Sequence, residues 1–278
     1  MEERNLGWNA SARANAAQRW RAQSAAMGRG LTEAIVAAAQ VAPGMDVLDV
    51  ACGTGEPAIS LAAAMNGAGS VIGIDISPSP LEIAKERAAE RGLTNVKFQQ
   101  ADAQQLPFAE GSFDRVTCRL GVMFFGDTQR AFAEMRRVLR PGGRIALLAW
   151  GPMEQPYFET TIGMVRRVLP ELELPASGRA MFKFGDKEKF ADDLRHAGFG
   201  KLQVEVPRVP WNWPGRPEEL WAYFQDVTVP FRPLLEAVPG ERRGELDAAV
   251  VREIGKYFDG NEVRFEAVIT IATAVKET

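Results

Sequence analysis

Val47-Leu48-Asp49-Val50-Ala51-Cys52-Gly53-Thr54-Gly55-Glu56-Pro57-Ala58 sets a short apolar run against a glycine-containing turn, with helix-forming sequence directly behind it. Val47, Leu48 and Val50 fit a strand buried on both faces, as parallel sheets require. Gly53 and Gly55 supply backbone that turns sharply and lets a ligand come close. Pro57 suits the first turn of a helix, where its missing N–H costs nothing. Strand, glycine turn and helix in this order open a nucleotide-binding α/β unit, with exposed N–H groups facing the ligand.

Two later acids narrow the choice of nucleotide. Val71-Ile72-Gly73-Ile74-Asp75 reads as a second buried strand closing in a carboxylate that can accept hydrogen bonds from a ribose diol. The plainer role for Asp75 is to cap the helix opened by Ser77-Pro78. Val96 to Gln100 reads as a third strand. Asp102, in Ala101-Asp102-Ala103, can accept from an adenine amino group or cap a short helix. Two further strands are expected at 113–118 and 144–150, and Arg137 to Gly143 ends a helix and turns into the latter. Helices are expected at 57–65, 79–91 and 128–139, the last capped by Asp127 or Thr128. In an open α/β sheet the carboxyl ends of such strands share one crevice.

The flanks read differently. Residues 8–40 are helical in pattern, with a break near Gly28 and Gly30 and with Trp8, Trp20 and Ile35 as apolar anchors. After Trp150, prolines 152, 156, 170 and 175 surround a short helix near 157–168. A helix at 186–197 and a strand at 201–206 follow. Residues 211–260 interrupt again, with helices near 217–226 and 241–256, before a strand at 262–275 that forms a hairpin with 201–206. The expectation is one domain over 1–278. Residues 1–40 are its N-terminal helices and 41–151 its cofactor-binding core. Residues 152–181 and 211–260 are cap insertions, and 182–210 and 261–278 complete the core.

Composition excludes several classes. The 278 residues are 46% hydrophobic, ordinary for a globular chain, and the net charge is −3 with acids and bases dispersed. No basic run or aromatic-basic stripe suggests a nucleic-acid surface. No run reaches the length of a membrane span. Cys52 and Cys118 both fall in core motifs and read as small buried residues in a reducing compartment. Residues 10–27 are rich in Ala and Arg, but Glu2 and Glu3 argue against a transit peptide. A cytoplasmic location is expected. There is no Cys-x-x-Cys and no His-x-x-x-His, so no metal is expected.

Leu-Asp-Val-Ala-Cys-Gly-Thr-Gly, Gly-Ile-Asp-Ile-Ser, Ala-Asp-Ala-Gln-Gln-Leu-Pro-Phe, Phe-Asp-Arg-Val and Val-Leu-Arg-Pro-Gly-Gly occur in this order between Met45 and Trp150. Together they resemble the class I S-adenosylmethionine-dependent methyltransferases, most closely the small-molecule branch that includes the ubiquinone/menaquinone C-methyltransferases. The resemblance implies an α/β three-layer sandwich. Its Rossmann-like, mostly parallel seven-stranded sheet ends in one antiparallel strand and carries helical cap insertions. It implies methyl transfer from S-adenosyl-L-methionine to a small, partly apolar acceptor. Around the cofactor it places Ala51, Cys52, Gly53 and Gly55 in the turn, and Asp75 with Ile76 at the second strand end. Asp102 and Ala103 fall near the base. Asp49 bonds loop amides or the methionine amino group, or serves structure alone. Arg119, Leu120 and Gly121 reach the methionine part through their backbone, although Arg119 can equally be a surface ion-pair residue.

Two other classes compete. A dinucleotide-dependent dehydrogenase shares the first turn and Asp75, but does not account for the Asp102 segment. A cofactor-binding protein, or an enzyme of another reaction type on the same scaffold, shares all of it. No catalytic residue stands out. Tyr157, Tyr223 and Asp226 are candidate bases because they lie in the insertions. His196 sits where a helix C-terminus favours a cation without catalytic duty. Trp211, Trp213, Trp221, Tyr223, Phe224 and Phe231 either pack the cap or line an acceptor pocket, as Met123-Phe124-Phe125 either floors it or fills core. A lid with an apolar inner face, closing over the strand ends, is the expectation that joins these features.

Overall fold

A computed structural model describes Ala16 and residues 18–277. Trp8 lies outside the described residues. The chain divides into two compact units, one built from residues up to Gly30, Pro152–Lys183 and Arg208–Val268, the other from Leu31–Gly151, Phe184–Pro207 and the stretch from Ile269 onward.

The second of these holds the sheet. Its strands are β1 (Asp46–Val50), β2 (Ser70–Asp75), β3 (Val96–Gln100), β4 (Phe113–Arg119), β5 (Leu139–Trp150) and β6 (Gly200–Glu205). β7 (Arg208–Pro210) falls in the first unit, and β8 (Glu266–Val275) enters the sheet through residues 269–275. The order is β3-β2-β1-β4-β5-β8-β6. Pairing is parallel from β3 to β5, and β8 runs antiparallel to β5 and β6. The expected strands at 201–206 and 262–275 thus share the sheet edge as a hairpin. β7 is an eighth strand that pairs only with Glu266–Val268 of β8.

Burial follows position. Central β1 is buried from Val47 to Val50, whereas β3, at the edge, exposes Lys97, Gln99 and Gln100. From β1 the chain steps outward to β2 and β3, then returns to β4 and β5 on the other side. Because parallel crossovers are right-handed, this reversal puts helices on both faces and opens a crevice between the carboxyl ends of β1 and β4.

Most helices lie within a residue or two of expectation. Asp127 caps the helix Thr128–Val138 by accepting from the Arg130 amide at 2.9 Å. Two differences have physical causes. β5 begins at Leu139, not 144, because Leu139 already pairs with Phe113; Arg140 to Gly143 bulge out before pairing resumes at Arg144. The single helix near 157–168 is instead Pro156–Thr160 and Ile162–Val168. Thr160 and Thr161 donate their hydroxyls to the carbonyls of Pro156 and Tyr157 at 2.8 and 2.7 Å. Such back-bonding competes with the helical ladder and breaks it at Thr161.

The first unit is an aromatic core. Trp211, Trp213, Trp221, Phe224 and Phe231 are buried, as are Tyr157 and Phe158. Tyr157 is ringed by Phe158, Trp211, Phe224 and Phe265 at centroid distances of 5.0 to 6.0 Å. The indoles of Trp20 and Trp221 donate to Asp226 and Asp247, each at 2.7 Å. Buried Gln155 reaches β8, its side chain accepting from the Val268 amide at 2.9 Å and donating to the Val268 carbonyl at 3.2 Å.

Candidate cofactor-binding site

The glycine turn and the acidic strand end meet. Asp75 Oδ2 accepts from the Gly53 amide at 3.0 Å, and Oδ1 from the Ser77 amide at 2.9 Å. Asp75 thus ties the turn to the residue that precedes the helix Pro78–Glu90, whose N-cap Ser77 has no side-chain capping bond. A carboxylate has about four lone-pair sites, so each oxygen keeps capacity for a ligand hydroxyl.

The backbone around the turn is left-handed at Ala51 (φ 57°), Gly53 (51°) and Gly55 (105°). A Cβ added at Gly53 would meet no atom within 4 Å. That open side is where a ligand can approach the backbone. Gly55 has a different reason. Its added Cβ would lie 2.6 Å from Ile59 Cδ1 and 3.1 Å from Ala84 Cβ, so glycine there serves close helix packing rather than ligand approach. Pro57 stands at the N-cap of the helix Ala58–Ala64, not inside its first turn.

Next along the crevice, the Ala101 amide donates to the Asp75 carbonyl at 3.1 Å, which sets Asp102 beside the end of β2. The Asp102 carboxylate is turned back on its own loop, with Oδ1 accepting from the Gln104 amide at 2.8 Å and from its side chain at 3.3 Å. Gln104 in turn accepts from the Asp127 amide at 2.6 Å. Ala103 is buried. Ile76 is 65% exposed, a large apolar side chain left open beside Asp75.

Asp49 lies behind the turn and is fully buried. Its oxygens accept from the Thr117 hydroxyl at 2.7 Å and the Ala58 amide at 3.0 Å. Burial dominates these bonds and pushes its pKa up to about 7. Cys52 and Cys118 are buried free thiols, pushed up first by desolvation and then by the Asp49 charge, so both stay neutral.

At the end of β4, Leu120 is left-handed like Ala51, with φ 60°. Such strained positions concentrate at functional sites. The Arg119 guanidinium donates to the Thr32 hydroxyl at 3.0 Å, which ties the end of β4 to the helix Arg29–Ala39. Gly121, expected with its neighbours near the methionine part, is held there by close packing: an added Cβ would lie 2.5 Å from Ala51 Cβ and 2.7 Å from Cys118 Sγ. Only glycine lets the β4 exit approach the β1 exit this closely.

The candidate bases lie in the first unit. Asp226 is engaged by Trp20 and by Arg19 at 3.2 Å. Burial drives the Tyr157 phenol well above its ordinary pKa, which disfavours proton exchange near neutrality. Tyr223 stacks on Trp213 at 4.8 Å. His196 closes the helix Lys187–His196 on the surface, its Nδ1 2.7 Å from the Asp192 carbonyl. Among the described residues, no group of three or more His, Cys, Asp or Glu side chains is placed to hold a metal ion.

Fold and crevice define a class: an α/β nucleotide-binding sheet with its ligand turn after β1 and an acid after β2. The chain belongs to the ubiE/COQ5 methyltransferase family, whose model matches residues 27–206. It is 44% identical over 145 residues to an uncharacterized protein of Mycobacterium tuberculosis, covering 51% of each. The chain thus spans about half the length of the mycobacterial relatives it matches. It is 34% identical over 189 residues to the demethylmenaquinone methyltransferase of Deinococcus radiodurans, covering 64% of this chain and 78% of that one. Among solved structures, the [4+2]-cyclase SpnF superposes with a TM-score of 0.54 at 25% identity, over 89% of this chain and 81% of that one. No helix among the described residues is long and apolar enough to cross a membrane.

Proposed function

We propose that the protein transfers a methyl group from S-adenosyl-L-methionine to a small, partly apolar acceptor. The observation that carries this is the Asp75–Gly53 contact at 3.0 Å, which joins a ribose-binding acid to an open left-handed turn. The residues fit the cofactor. Asp75 takes the ribose hydroxyls, and Ile76 offers an apolar face to adenine beside Asp102 and Ala103. Ala51, Cys52 and Gly53 form the turn along the cofactor, and Gly55 lets the helices behind it pack close. Asp49, Arg119 and Leu120 border its methionine end. When bound, the sulfonium supplies an already activated methyl group. The protein then has to align the acceptor and exclude water. The name of the Deinococcus relative favours a quinol-like acceptor. With this reading go one methyltransferase domain over 1–278, with 152–181 and 211–260 as insertions, and a cytoplasmic location.

The SpnF likeness favours a second reading, a different reaction on the same scaffold. Two measurements separate the possibilities. Calorimetry should show binding of S-adenosylhomocysteine and little or none of NAD; tighter NAD binding would return the protein to the dehydrogenases. Incubation with S-adenosylmethionine and a panel of phenols, quinols and amines should release S-adenosylhomocysteine. Binding without release from any acceptor favours the second reading.

A further inference from the structure

The glycine turn is gripped a second time, from outside the crevice. Asp75 holds the Gly53 amide, yet Asp75 is also the group assigned to the ribose. A turn with positive φ at Ala51, Gly53 and Gly55 has several conformations open to it and needs other contacts to select one. The helix Pro78–Glu90 provides them. Its inner stripe runs Pro80, Leu81, Ala84, Arg87 and Ala88, with a cation on an otherwise apolar face. Arg87 Nη1 donates to the Thr54 carbonyl at 2.7 Å and to its hydroxyl at 3.2 Å. Nη2 donates to Glu56 Oε1 at 3.4 Å, and Glu56 Oε2 accepts from the Ser60 hydroxyl at 2.6 Å. The Arg87 and Glu56 side chains are only 10% and 11% exposed. Arg91 approaches Glu56 at 3.6 Å from the solvent side.

A buried ion pair contributes little net stability compared with an apolar replacement, and its best-attested use is to fix one arrangement among several. We infer that Arg87, closed on Glu56, is a positioning residue that fixes Thr54 and so presents the Gly53 side of the turn to the cofactor. Lysine cannot take its place. A single ammonium lacks the planar fork that spans a carbonyl and a carboxylate together. The inference rests on the proposed cofactor reading of the turn, and its test has one arm that does not.

The independent arm is amide hydrogen exchange of the ligand-free protein. In Arg87→Met, peptides covering 51–56 should exchange roughly tenfold faster while β1 and β2 keep their protection. The dependent arm is calorimetry with S-adenosylhomocysteine, where affinity should fall roughly tenfold. Arg87→Lys, the milder variant should Arg87→Met not fold, should move both readouts part of the way. Lys85→Met, on the same helix but 50% exposed and paired with Glu82, should move neither. Exchange within twofold of wild type in the Arg87 variants overturns the positioning role. Wild-type protein that fails to bind S-adenosylhomocysteine overturns the cofactor reading instead, and the exchange arm still decides the role of Arg87.

Discussion

Asp75 and Asp49 are both carboxylates at the site, and their surroundings give them opposite behaviour. Asp75 keeps acceptor capacity in the crevice while holding Gly53 and Ser77. Asp75→Ala should weaken S-adenosylhomocysteine binding by about 1.5–3 kcal/mol, the scale of hydrogen bonds to a charged group. Unchanged affinity in a folded variant would remove the ribose role. Asp49 is held from water, and its pKa of about 7 lies above that of an exposed aspartate. The folded state therefore favours the protonated form. Its stabilising effect is complete below about pH 4 and is lost as pH rises through 7, by up to a few kcal/mol. Asp49→Asn should gain stability relative to wild type between pH 5 and pH 8. Denaturation curves at both values read this, and a difference that does not change with pH contradicts it. That Asp75 and Gly53 lie together was legible in the sequence, because both close neighbouring parallel strands whose carboxyl ends meet at one crevice. Arg87 was not legible, because its partners Thr54 and Glu56 are brought close only by the sheet and the following helix.

Elements are joined by motifs that the sequence displays separately. Asp114 of Phe-Asp-Arg-Val and Arg140 of Val-Leu-Arg-Pro-Gly-Gly form an ion pair, and Arg140 also reaches Asp46 at 2.8 Å. They tie the amino-terminal ends of β1 and β4 to β5, at the opposite end of the strands from the crevice. Ser70 and Arg140 hold the Asp46 carboxyl below its ordinary pKa, and Arg140 does the same for Asp114 against the cost of burial. The stability from these groups is present above their unfolded pKa, near pH 4, and is lost as pH falls through the depressed values. Arg140→Met should therefore begin to unfold at a higher pH than wild type during an acid titration followed by circular dichroism. Coincident titrations would assign the acid sensitivity elsewhere. Gln155 gives a second test within the aromatic unit. Gln155→Leu strips both hydrogen bonds from the Val268 backbone and should cost about 1–3 kcal/mol per group left unpaired. A chemical denaturation midpoint equal to wild type would show that other groups satisfy Val268. Strand and helix positions were largely readable from apolar spacing. The break at Thr161 was not, because hydroxyl back-bonding leaves no trace in the hydrophobic pattern. The aromatic segment was ambiguous for a related reason: composition does not distinguish a packed core from an open pocket, and only burial assigns Trp213 and Phe231 to packing.

At the scale of the whole molecule, the chain divides into two compact units, and the proposed cofactor residues all fall in the sheet unit. Scanning calorimetry should register this as a calorimetric enthalpy larger than the van't Hoff value. S-adenosylhomocysteine at a hundredfold excess over its dissociation constant should add about 2.7 kcal/mol to the unit that binds it. One symmetric transition with equal enthalpies would mean that the units unfold together. The place of β8 has a further consequence, for the order of events on the ribosome. β8 is synthesised after β5 and β6, yet it lies between them and pairs with both. Until it emerges, β6 has no partner and β5 offers an apolar flank from Ile145 to Trp150 to any strand nearby. The nascent sheet thus passes through a stage with the buried apolar half of β5 at an open border, and that stage is where a holding chaperone would have much to cover.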